Sequence, residues 1–462
     1  MTVADLLLAR AGDDRPGLRG EEGEWSWREV VAECAARAAW MRSLASGDRL
    51  HLGVLSDNTP EMVFLLGGAA LSGTVLVALN TSRSPAEIEG DAARADCDLV
   101  VVDPAYRDLA AGLGEHVLTD DLSLPPAPPE RADVGPETLL MLIFTSGTSG
   151  TPRAVRITHR KVTVPGENLA ARMLTPDDVV YCPMPLFHSG AIMAAYAPAL
   201  AAGATLALRR RFSASGALPD IRKYGCTYMQ YVGKALSYVL ATEPRADDRD
   251  NPLRIAFGNE AAPAEQRAFA ERFGCFVVDA YGSTETAISF SPDPAGPRGA
   301  LGRLPEGVAI LDPETGVECP VARFDADGRL ANADEAVGEL VNTRGSGLFE
   351  GYYNDADGDA ERMRGGMYWS GDYAYADEAG YVFFAGRSVD WIRVDGENFG
   401  AVQVERVLSG LPGVREIAVY GVPDAAAGDQ VMVALVGAFD PAGFVGFLEG
   451  RRDLSPKWIP RY

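Results

Sequence analysis

Short apolar runs alternate with helical patterns through residues 1 to about 120. Segments 49–55, 75–79 and 99–102 read as strands set between amphipathic stretches, the pattern of βα units on a largely parallel sheet. Residues 124–134 (LPPAPPERADV) form a Pro-rich linker. The apolar run 139–144 follows and reads as a buried strand. Alternation returns over 177 to about 255, and 275–278 reads as a further strand. Near 309–351 the pattern changes to short strands with Gly and Asp turns, which predicts a smaller β subdomain. A last unit begins after Gly386-Arg387. It predicts a hairpin-like stretch, a helix over 402–411 and a strand pair at 416–422 and 430–436. The fold class is therefore α/β. A large N-terminal domain over 1–387, made of βα subdomains plus a β subdomain, precedes a small α+β C-terminal domain over 388–462.

Composition narrows the function classes. A chain of 462 residues with 47% hydrophobic and 8% aromatic content is globular and can bury a large core. The most apolar stretch, 62–79, carries three glycines, a serine and a threonine, and reads as a helix-to-strand unit instead of a membrane span. The N-terminus has no basic region ahead of its short Leu run, so no signal peptide is expected. The net charge of −23 argues against nucleic acid and anionic membranes. Any polyanion must then be held by local cations and N–H groups. Six cysteines without CxxC spacing and four dispersed histidines suggest buried thiols in a reducing cytoplasm and no zinc site.

The run Phe144-Thr145-Ser146-Gly147-Thr148-Ser149-Gly150-Thr151-Pro152-Arg153 carries the most chemistry. It sets five hydroxyls, two glycines and one cation after a strand. Glycine permits the backbone to turn its N–H groups toward phosphate oxygens, and Ser and Thr add donors. It lacks the Gly-Lys-Ser/Thr end of a Walker A loop. A plain polar turn rarely holds so many hydroxyls. The second motif is Asp279-Ala280-Tyr281-Gly282-Ser283-Thr284-Glu285, with an aromatic to stack on a base, a phosphate donor and a carboxylate for Mg²⁺. The third is Ser370-Gly371-Asp372, whose carboxylate suits two ribose hydroxyls; alone it would read as a turn aspartate. The fourth starts at Gly386-Arg387, where an arginine can pair with a phosphate or form an ordinary salt bridge.

In that fixed order, FTSGTSGTPR, YGSTE, SGD and GRxxD resemble the adenylate-forming superfamily of acyl-CoA synthetases, nonribosomal-peptide adenylation domains and beetle luciferases. The resemblance covers nearly the whole chain. Met184-Pro185-Leu186-Phe187-His188-Ser189-Gly190 is similar to the acyl-CoA synthetase form of a further core motif. The resemblance implies ATP, Mg²⁺ and coenzyme A. Thr145, Ser146, Gly147, Thr148, Ser149 and Gly150 match the cradle of the β- and γ-phosphates. Thr145 and Glu285 match the positions that help hold Mg²⁺. Gly258, Asn259 and Glu260 match the turn lining adenine, with Tyr281 on its face, Gly282 beside it and Asp279 near the amino group. Thr284 matches the α-phosphate donor, Asp372 the ribose ligand and Arg387 the second nucleotide contact.

His188 matches a residue at the mouth of the acyl pocket; a core histidine at a strand end is its bland alternative. Relatives that activate amino acids carry an aspartate in this motif, and none stands here, which implies an acid without an α-amino group. The acyl pocket is expected beside Tyr228, Met229, Tyr231, Val232 and Gly233, with ordinary core packing equally open for Tyr228 and for Met229. Gly396 and the turn at 421–424 match regions near the pantetheine arm. The C-terminal domain of the family rotates between adenylating and thioester-forming poses.

Three departures stand out. Arg153 replaces a usual lysine and implies an altered phosphate grip. Val389 takes the hinge position usually held by Asp or Lys, while Asp390 matches. The chain reaches Pro460-Arg461-Tyr462 ahead of the family's catalytic lysine, and Lys457 does not match it. The expectation is a truncated C-terminal domain that binds ATP yet adenylates slowly. The leading reading is a cytoplasmic ATP-dependent acyl-CoA ligase of lipid metabolism, acting on a fatty acid or a steroid side-chain-like acid as in actinobacterial relatives. A fatty-acyl-AMP ligase serving a carrier protein and a nucleotide-binding protein without turnover are the alternatives. A homodimer is left open.

Overall fold

The computed structural model describes residues 1–45, 49–145, 152–293, 295–326, 330–387, 391–394, 397–424, 428–438, 440–449, 451 and 458–461. Ser146, Gly147, Thr148, Ser149, Gly150, Val389, Asp390, Gly396 and Lys457, singled out above, lie outside the described residues. The chain divides into two compact units. The first comprises Met1–Thr286 and Leu348–Asp359, the second Ala287–Gly347 and Ala360–Tyr462.

The first unit holds two sheets. One runs in the order Phe276–Asp279, Ile255–Asn259, Tyr228–Val232, Val179–Cys182, Thr205–Leu208, Pro16–Gly20 and Gly23–Ser26. Its neighbours are parallel except for the last pair. From Val179–Cys182 the chain adds the next strand on one side and the following strand on the other. The strand order therefore reverses between Val179–Cys182 and Tyr228–Val232. A crevice opens at the carboxyl ends of such a pair because the two connections leave in opposite directions.

The other sheet runs His116–Leu118, Leu99–Val102, His51–Leu55, Val75–Leu79, Leu139–Thr145 and Arg153–Thr158. The alternation at 49–55, 75–79 and 99–102 thus marks real parallel strands. Every residue of Val75–Leu79 is buried, as a strand covered on both faces requires. Leu139–Thr145 pairs antiparallel with Arg153–Thr158, placing Thr145 opposite Arg153. Local signals close the helices between strands. Thr59 accepts a hydrogen bond from the Met62 N–H, Pro60 opens the helix Pro60–Ser72, and Gly73 ends it at φ +80°.

The second unit has one sheet ordered Ala300–Arg303, Tyr381–Arg387, Met367–Ala376, Gly338–Asn342 and Val308–Leu311. Its other sheet, Glu397–Gly400, Trp391–Val394, Gly428–Gly437 and Val414–Asp424, packs a core of its own around Phe399, Val404 and Leu408. The helix expected over 402–411 spans Ala401–Leu408, because Gly410 and Leu411 close tighter turns on Val407 and Leu408. The β subdomain expected through 351 stops earlier. Residues Leu348–Asp359 return to the first unit, where Tyr352 bridges to Val155 and the Tyr353 N–H donates to the Ala154 carbonyl. No described helix is long and apolar enough to cross a membrane.

Candidate active site

Four parallel neighbours end at Cys182, Val232, Asn259 and Asp279, and the motif residues of the first unit follow those ends. Asn58 clamps the turn after Cys182: its Nδ2 donates to the Met184 carbonyl at 2.8 Å and its Oδ1 accepts from the Leu186 N–H at 2.7 Å. His188 follows that turn with its ring 4.7 Å from that of Phe187. The imidazole keeps an exposed edge, yet the protein around it withdraws water and lowers its pKa below the ordinary value. Ser189 Oγ lies 2.8 Å from Thr284 Oγ1, joining the HSG turn to the YGSTE segment. Ser189 was not singled out from sequence; its place beside His188 in the motif was the available signal. Thr286, just past this pair, holds φ +55°, a conformation costing about 1–3 kcal/mol that clusters at functional sites.

The turn expected to line adenine is built tightly. A Cβ at Gly258 would lie 2.2 Å from the Tyr231 carbonyl oxygen, so only glycine fits. Glu260 takes φ +68° in the same turn. Asp279 Oδ2 accepts from the Ala261 N–H at 2.9 Å and from the Tyr231 hydroxyl at 2.8 Å, which fixes the turn against the strand end. Burial outweighs these bonds and pushes the Asp279 carboxyl up to about 6. At Gly282 a Cβ would meet open space within 4 Å, which leaves room beside Tyr281.

Glu285 is 8% exposed. Its Oε1 accepts from the Tyr352 hydroxyl at 2.9 Å. The guanidinium of Arg153 stands 5.3 Å from the Tyr352 ring centroid, and its Nε is 3.3 Å from Asp355 Oδ2. Lys161 is fully buried; its Nζ donates to the Arg156 carbonyl at 3.3 Å and lies 5.9 Å from the Phe349 ring centroid. Burial pushes the Lys161 ammonium down to about 8, with Glu285 and Glu350 pulling it back up. Neither Tyr352 nor Lys161 was found from the sequence. GYYN and THRK carry no pattern of their own, and both residues acquire their neighbours only on folding.

The expected acyl strand divides its side chains, as any strand must. The Tyr228 hydroxyl donates to the Ala194 carbonyl at 2.9 Å, while that of Tyr231 turns to Asp279. Tyr228, Met229 and Tyr231 are wholly buried, Val232 is half-buried, and Gly233 holds φ +54°. Gln230, on the Tyr228 face beside Gly190, is also buried, and its Oε1 has no partner among the described residues. Thr145 ends its strand half-buried. In the second unit Gly371 turns at φ +76°, with its N–H on Glu339 at 2.7 Å. Asp372 follows at 7% exposure, its Oδ1 3.3 Å from Arg387 Nε.

Residues 8–353 match the family described as AMP-binding enzyme. This chain belongs to that family. It is 47% identical along its full length to the steroid-22-oyl-CoA synthetase of Rhodococcus jostii, covering 87% of that protein. It is likewise 47% identical along its full length to the medium/long-chain-fatty-acid–CoA ligase FadD17 of Mycobacterium tuberculosis, covering 92% of it. ATP-bound MatB from Rhodopseudomonas palustris shares the fold at a TM-score of 0.85 and 24% identity, over all of this chain and 94% of MatB. The α/β class and the acyl-CoA synthetase branch of the adenylate-forming superfamily both follow. The donor set fits a magnesium–phosphate ligand. Among the described residues no three His, Cys, Asp or Glu gather as a metal cage. Mg²⁺ typically binds one or two carboxylates together with substrate phosphates, and the near-buried Glu285 is a carboxylate of that kind.

Proposed function

We propose that this AMP-binding enzyme is an acyl-CoA ligase whose acid is a medium- or long-chain fatty acid or a steroid side-chain acid. One observation carries the reading: the Ser189–Thr284 hydroxyl pair sits beside the near-buried Glu285, after the ends of parallel strands where the strand order reverses. The 47% identity to enzymes named for such acids supports the substrate class. Thr284 is proposed to donate to the α-phosphate of ATP. Glu285 and Thr145 would hold Mg²⁺, which supplies charge neutralisation at the phosphates. The turn at Gly258, Asn259 and Glu260, with Asp279, Tyr281 and Gly282, is proposed for adenine. Asp372 and Arg387 are proposed for the ribose, and Gly396 for the pantetheine side. His188 is proposed at the carboxyl end of the acid, where a neutral imidazole avoids pairing with it. Tyr228, Met229, Val232 and Gly233 are proposed along the acyl path, and Tyr231 beside it through Asp279.

The substrate carboxylate attacks the α-phosphorus in line and pyrophosphate leaves. Fixed donors at the phosphoryl oxygens stabilise the charge that builds there. The thiol of coenzyme A then attacks the acyl carbonyl, the bond to AMP breaks, and the thioester, AMP and the thiol proton are released. We further propose that 388–462 forms the small C-terminal domain, a boundary supported by its separate sheet and core. A cytoplasmic setting is supported by the six cysteines, all free and none exposed. The test is pyrophosphate release across a panel of acids, with and without coenzyme A. Thioesters of long-chain or steroid side-chain acids are expected. Fast release without coenzyme A and without thioester would sink the reading.

A further inference from the structure

Tyr352 comes from a segment that leaves the first unit's sequence at 286 and returns to it 62 positions later, at 348. It is 3% exposed and held from every side. Its N–H donates to Asp359 Oδ1 at 2.7 Å. Its ring packs edge-on to Phe349 at 5.1 Å and lies under the Arg153 guanidinium. Its backbone bridges to Val155, on the strand that leaves the phosphate loop. Its hydroxyl donates to Glu285 Oε1 at 2.9 Å.

We propose that Tyr352 is a positioning residue for the adenylation reaction, fixing one oxygen of Glu285 so that the other is presented to the metal of Mg·ATP. The inference rests on the metal role proposed for Glu285. A carboxylate on a flexible side chain rotates about its last torsion, and a buried one without a partner pays for its desolvation. A phenol that donates to Oε1 removes both problems without adding a positive charge that would compete with the cation. Oε2 has no hydrogen-bond partner among the described residues. Arg153, above the same ring, draws the ring face toward itself, which ties the strand after the phosphate loop to the carboxylate through one side chain.

The test is calorimetric titration of ATP, with and without Mg²⁺, into the full 462-residue chain. Wild type, Tyr352→Phe, Glu285→Gln and the double variant are compared. The readout is the ratio of metal-bound to metal-free ATP affinity, which does not change with the fraction folded. Tyr352→Phe keeps the ring and its packing. It is expected to lower the ratio about tenfold, the usual scale for one hydrogen bond to a charged group. Glu285→Gln is expected to lower it further, and the double variant no further than Glu285→Gln alone. A ratio unchanged in Tyr352→Phe but lowered in Glu285→Gln overturns the positioning role, as do additive losses in the double variant. A ratio unchanged in Glu285→Gln overturns the metal role instead.

Discussion

Glu285 in the first unit and Asp372 in the second are both acidic, both nearly buried, and anchored in opposite ways. Glu285 takes its bond from a phenol enclosed by protein, and the fully buried Lys161 lies in the same interior. Asp372 takes its pair from Arg387, whose side chain is 54% exposed. Water screens the second arrangement and not the first, so removing a partner costs much more around Glu285. The first region is built to hold one geometry. The second pairs its carboxylate with a largely exposed cation, which suits the ribose role proposed for Asp372.

The sharpest way to break this contrast is Glu285→Gln. It keeps the shape and removes the charge, and adenylation measured by pyrophosphate exchange should fall roughly a hundredfold, the scale seen when one preorganised electrostatic group is lost. An unchanged rate would place the metal elsewhere.

The interior of the first unit should also be the acid-sensitive one. His159 is wholly buried and its Nδ1 accepts from the Val3 N–H at 3.2 Å, so the fold needs the neutral ring. Burial lowers its pKa from 6.5 to about 4. Between those values the unfolded chain binds the extra proton, so stability is full above pH 6.5 and is lost as pH falls toward 4. The loss is on the order of 3 kcal/mol. Denaturant melts at pH 7 and 4.5 should show that drop in wild type and a smaller one in His159→Gln.

Smaller effects belong to the second unit. Asp372→Asn should raise the KM for ATP about tenfold with kcat changed far less, the signature of lost binding that ground and transition states share. Arg387→Ala should shift the melting free energy by less than about 1 kcal/mol, as exposed pairs do. A larger destabilisation would mean that the pair is structural and the contrast false.

Much of this was legible in the sequence. The strands at 75–79, 99–102 and 139–144 declared themselves because a strand covered on both faces is an unbroken apolar run. Glu285 and Asp372 were legible because each sits in a short motif whose order along the chain is specific. The β subdomain's end was missed because the return of Leu348–Asp359 to the first unit rests on contacts with Val155 and Ala154, far away in sequence. Arg153 read as a phosphate cation; the fold gives it Asp355 and the Tyr352 ring as neighbours.

The sequence alone determined the family, the order of its motifs and the residue types proposed to meet phosphate, metal and ribose, since these are local patterns of backbone freedom and donor chemistry. Only the tertiary structure decided how those residues are held. Ser189 meets Thr284 across 95 positions, Tyr231 meets Asp279 across 48, and Tyr352 meets Glu285 across 67. A tyrosine carries no mark of such a contact in its own neighbourhood. The contact arises when chain closure buries polar groups against one another.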